Sequence, residues 1–125
     1  AEARSLSVEK LNKITEQIIE SFKNSTSINK AKVKIDLKRE YDGFKIEENE
    51  ICVQIAKKAL SNMGIPAKVI STGGGSDINI FNAKGKRAIN LSSGMENVHT
   101  EKEYVKIDQL EKLVVLILEI CTVNI

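Results

Sequence analysis

The sequence predicts an α/β fold in two parts, β-α-β followed by α-β-α-β-loop-α. Apolar residues at spacings of three and four mark long helices opening near Ser7, Asn49 and Asp108. Short apolar or alternating runs lie between them, at 33–37, 67–71 and 87–91. Helices alternating with such runs argue for helices packed on a mostly parallel sheet.

Each element follows from local chemistry. Ala3 to Leu6 reads as a short strand, and Ser7 is a good N-cap for the first helix. Val8, Leu11, Ile14, Ile18, Ile19 and Phe22 give that helix one apolar face, and the polar run Asn24 to Ser27 is expected to end it. Val33, Ile35 and Leu37 alternate with Lys32, Lys34, Asp36 and Lys38, the period of a strand with one buried and one solvated face. Tyr41 to Phe44 reads as a turn in which Gly43 supplies a positive φ. Asn49 is the expected cap of a helix carrying Ile51, Ile55, Ala59, Leu60 and Met63, stopped by Gly64 and Pro66. The strand 67–71, a glycine turn at 72–77, a short helix at 78–84 and the strand 87–91 come next. A loop through His99 leads to the last helix, with Leu110, Leu113, Val114, Ile117, Leu118 and Cys121 on its apolar face. The pattern changes near residue 45, which sets the expected domain boundary.

The bulk numbers exclude several classes. With 125 residues, 42% of them hydrophobic and 29% charged, the chain has the balance of a globular protein. A net charge of +2, without clustered Lys/Arg interleaved with aromatics, does not suggest nucleic acid. No apolar run approaches the roughly 20 residues that span a bilayer. The chain opens on Ala1 without a signal-peptide pattern. Cys52 and Cys121 sit in apolar helical patterns and read as two reduced core thiols, which suggests the cytoplasm.

Few residues offer chemistry. Gly73-Gly74-Gly75-Ser76-Asp77 lies between a strand and a helix, where glycines let backbone N–H groups approach an anionic ligand. It is neither a dinucleotide fingerprint nor a P-loop, and composition alone favours a surface loop. His99 is the only histidine, and imidazole is a standard zinc ligand. A zinc site needs three or four protein ligands, and the spacing of Glu101 and Glu103 matches no common zinc signature. On residues alone His99 therefore reads as structural. Arg4 could clamp a carboxylate bidentately, though its spacing reads as a solvated surface arginine. Ser76 lacks a G-x-S-x-G elbow, and the lysine-rich run 30–39 contains Asp36 and Glu40 and reads as a solvated face.

The order of motifs carries more. Glu2-Ala3-Arg4-Ser5-Leu6 is followed by Tyr41-x-x-Phe44. Then come Gly73-Gly74-Gly75-Ser76-Asp77-x-Asn79-x-Phe81-Asn82-Ala83-x-Gly85 and Gly94-Met95-x-Asn97-Val98-His99-Thr100-x-x-Glu103. The series resembles the C-terminal portion of peptidase T-like aminopeptidases, relatives of carboxypeptidase G and succinyl-diaminopimelate desuccinylase.

That resemblance implies an α/β zinc-binding catalytic domain with a smaller lid, or dimerisation, domain inserted in it. Residues 1–45 would be the second half of the lid, a partial β-α-β, and 46–125 the C-terminal part of the catalytic domain. His99 would ligate one of two zinc ions, or another divalent metal. Gly74, Gly75, Ser76 and Asp77 would line the site of a peptide substrate, with Asp77 bracing the turn, and Arg4 would contact the substrate's carboxylate. The implied reaction is metal-assisted amide hydrolysis. The family's general base and other metal ligands match nothing in this chain, so no catalytic residue is assigned and the isolated chain is expected to be inactive. A half-lid leaves sheet edges and apolar surface uncovered, which favours a homo-oligomer. The alternative is a non-catalytic α/β interaction module whose glycine turn binds a small anion.

Overall fold

The computed structural model describes residues 1–28 and 30–124. Its elements are α1 (Val8–Ile28), α2 (Ile51–Asn62), α3 (Asp77–Ala83) and α4 (Ile107–Thr122). The chain divides into two compact units. One comprises Ala1–Lys45 with Ser71–Gly85, the other Ile46–Ile70 with Lys86–Ile125.

In the first unit Ser7 caps α1 as expected. Its hydroxyl accepts from the Lys10 N–H at 3.2 Å and its carbonyl from Leu11 at 3.0 Å. The polar run Asn24 to Ser27 does not end the helix, which continues to Ile28. Thr26 and Ser27 turn their hydroxyls back onto the Lys23 carbonyl, at 2.8 and 3.1 Å, so polarity is absorbed without a break. Gly43 does not take a positive φ; a side chain there would lie 3.6 Å from the Leu6 carbonyl oxygen.

In the second unit α2 packs against α4. Val53, Ala56 and Ala59 recur every third residue and are buried, as is Leu116 on α4. Asn62 Nδ2 donates to Glu119 Oε2 at 3.1 Å. The N-cap of α2 is Glu50 rather than Asn49, and Lys106 precedes α4. Gly64 and Pro66 do stop α2. Gly64, at φ +68°, donates to the Ser61 carbonyl, and Ile65 to the Leu60 carbonyl, the paired bonds of a Schellman motif.

The four strand assignments are corrected. Residues 3–6, 33–37, 67–71 and 87–91 form no ladder, and among the described residues the sole β pairing is an antiparallel bridge between Glu96 and Tyr104. A strand is defined by a neighbour's N–H and C=O groups, and alternation alone supplies none. Consistently, Leu37 is 69% exposed and Ile70 66%. The cysteines are also corrected: Cys52 is half-buried and Cys121 exposed, both as free thiols. Cys121 lies on a part of α4 that is not covered, since Val114, Val115, Ile117 and Leu118 are exposed as well.

Candidate functional site

His99 occupies a short loop closed on itself. Glu96 and Tyr104 exchange both backbone bonds, at 2.9 and 3.2 Å. The Tyr104 hydroxyl donates to Glu96 Oε2 at 2.5 Å, which raises the phenol's pKa above its ordinary value. Inside this closure Asn97 and His99 both take left-handed backbone, at φ +53° and +66°. Asparagine and histidine are among the few side chains that tolerate that region. Four hydrogen bonds hold the turn. The Thr100 N–H and hydroxyl both donate to the Asn97 carbonyl, at 3.1 and 2.7 Å. Asn97 Nδ2 donates to the Lys102 carbonyl at 3.3 Å. The His99 backbone N–H donates to Glu103 Oε2 at 2.6 Å. His99 itself is exposed. Gly94, at φ +76°, precedes the loop and lies against the first turn of α4, where a Cβ would fall 2.8 Å from Gln109 Cβ.

The glycine turn belongs to the other unit, with Arg4. A Cβ on Gly75 would overlap the Tyr41 phenol, so a side chain there needs the ring to move aside. Ser76 is the N-cap of α3, and Asp77 opens its first turn, where a carboxylate is favoured by the helix dipole. The buried side chain that fixes the turn is Asn79. Its Oδ1 accepts from the Ser76 N–H at 3.0 Å, and its Nδ2 donates to the Asp42 carbonyl at 2.8 Å. Arg4 Nε donates to the Glu2 carboxylate two residues away, and that hydrogen bond, followed by the charges of Glu2 and Tyr41, raises the arginine's pKa.

Among the described residues no three His, Cys, Asp or Glu side chains gather in a way that could hold a metal ion. The motif series contains Asn79 and Glu103, but sequence reasoning assigns neither its role as a brace. Ser76-x-x-Asn79 has the spacing of a capping box with Asn in place of Glu or Gln, a signal that was available. Nothing periodic marks Glu103.

Comparisons with known proteins agree on one family. The family model "Peptidase family M20/M25/M40" matches residues 4–122. An uncharacterized protein, YqjE, of Bacillus subtilis (strain 168) is 34% identical over 122 residues, covering 95% of this chain and 33% of that relative. A peptidase T of Shouchella clausii (strain KSM-K16) is 38% identical over 93 residues, covering 73% of this chain and 23% of its own. The crystal structure of a tripeptidase from Staphylococcus aureus matches with a TM-score of 0.81 at 34% identity, covering 93% of this chain and 31% of that one. This chain thus spans about a third or less of the length of these relatives. With a family model matched along nearly its whole length, the chain belongs to the peptidase family M20/M25/M40.

Proposed function

We propose that this chain contributes to a dinuclear zinc-dependent peptidase of the tripeptide-aminopeptidase kind, hydrolysing peptide bonds. The observation that carries the reading is the exposed His99 on its closed loop, in a chain matched along residues 4–122 to a peptidase family. The names of the relatives, peptidase T and tripeptidase, support the substrate class. His99 is one metal ligand, for zinc or a comparable divalent ion. Arg4, Gly74, Gly75, Ser76 and Asp77 contact the peptide. Residues 1–45 serve as half of a lid and 46–125 as part of the catalytic domain. The remaining ligands and the general base come from outside these 125 residues, so the isolated chain turns over no peptide. The exposed apolar side of α4 and the unpaired segments 33–37 and 67–71 support a homo-oligomer, and the free thiols support a cytoplasmic setting. No helix of the described residues is long and apolar enough to cross a membrane.

The test is His99→Ala in the complete protein that contains this chain, with metal content and a tripeptide panel as readouts. Loss of bound zinc together with turnover is expected. Unchanged metal content would refute the assignment. Stoichiometric submicromolar zinc binding by the 125-residue chain alone would refute its incompleteness.

A further inference from the structure

We infer that Glu103 is a positioning residue for His99. The inference rests on the reading of His99 as a metal ligand and adds to it what holds that ligand. His99 stands at φ +66°, a conformation that L side chains rarely adopt. Such backbone persists only where its surroundings fix it. The Glu96–Tyr104 bridge fixes the ends of the loop, and the Thr100 and Asn97 bonds fix its middle. Glu103 acts on His99 itself: its Oε2 accepts the His99 N–H at 2.6 Å, and a hydrogen bond to a carboxylate is stronger than one between neutral groups. That amide sets the direction of the histidine's Cα–Cβ bond. An imidazole has only two side-chain torsions beyond it, so the amide frame decides where the ring nitrogens can reach. Residues that orient a metal ligand typically influence metal affinity by 10–100-fold when removed, without touching the metal.

Glu103 could instead be read as a ligand in its own right. Its bond to the histidine amide already commits one oxygen to the backbone. A ligand carboxylate and a positioning carboxylate also differ in what glutamine does. Glutamine keeps an acceptor for the amide but is a poor substitute for an anionic ligand.

The experiment has two arms. In the 125-residue chain, amide NMR follows His99 in the parent, Glu103→Gln and Glu103→Ala. The His99 amide proton should lie downfield in the parent, stay intermediate in Glu103→Gln, and move upfield in Glu103→Ala with exchange at least about tenfold faster. The Tyr104 amide serves as the fold check. In the complete protein, zinc affinity should fall by about 10–100-fold in Glu103→Ala and recover in large part in Glu103→Gln. A His99 amide that does not move in Glu103→Ala overturns the proposal. Zinc binding lost in His99→Ala but kept in Glu103→Ala overturns the positioning role alone. Zinc binding that survives His99→Ala overturns the underlying reading, and the positioning role with it. Should Glu103→Ala not fold, Glu103→Gln decides: zinc affinity lost as fully as in His99→Ala, with the amide unmoved, makes Glu103 a ligand and overturns positioning.

Discussion

Gly94 offers the sharpest test of how the His99 loop is seated on its helix. It combines a φ of +76° with a site where a Cβ would meet Gln109 Cβ at 2.8 Å and Cγ at 3.0 Å. Gly94→Ala therefore meets two separate costs. Left-handed backbone costs an alanine about 1–2 kcal/mol. The overlap adds about 1–3 kcal/mol, because Gln109 Cβ is anchored to α4 and cannot swing away as a side-chain tip could. The total, about 2–5 kcal/mol, is a large part of the roughly 5–15 kcal/mol that holds an ordinary domain. Gly64 supplies the control within the same compact unit. It has φ +68° and nothing within 4 Å of a built Cβ, so Gly64→Ala carries the conformational cost alone. Urea denaturation followed by circular dichroism separates the two: Gly94→Ala should lose about 1–3 kcal/mol more than Gly64→Ala. Equal losses would refute the claim that the loop presses on α4 at this point.

Two further outcomes follow from the braces. Asn79→Ala strips a partner from the Ser76 N–H and the Asp42 carbonyl at once, and a loss of about 1–3 kcal/mol is expected, with faster hydrogen exchange at the Ser76 amide; unchanged exchange would refute the brace. Tyr104 keeps its proton to higher pH because it donates to Glu96, so its contribution is complete below the ordinary tyrosine value of 10.0 and is lost as pH rises through the raised one. Ultraviolet titration of the phenolate should move to lower pH in Glu96→Gln, and an unmoved curve would contradict the bond.

Helices were legible because their cause is local. Ser7 and the Gly64–Pro66 stop are local signals, and α2 and α4 start within a residue or two of where the apolar spacing sets them. The end of α1 was not legible, since the hydroxyls of Thr26 and Ser27 can either break a helix or bond back into it. The strands failed for a different reason: Val33, Ile35 and Leu37 specify a face, but pairing depends on residues far along a chain. His99 could be found by type and placed in a loop. Glu103 could not be given its role, because a carboxylate accepting one backbone N–H four residues away, outside a helix, leaves no pattern in composition or period.

The bridge between Glu96 and Tyr104 has a thermodynamic consequence for any ion that His99 meets. A free loop of this length would surrender its backbone entropy at the moment of binding, about 1–2 kcal/mol for each residue that becomes ordered. Here the ordering is incurred once, when the chain folds. For an ion bound there, only the imidazole torsions would remain to be frozen, which would lower the entropic cost of binding.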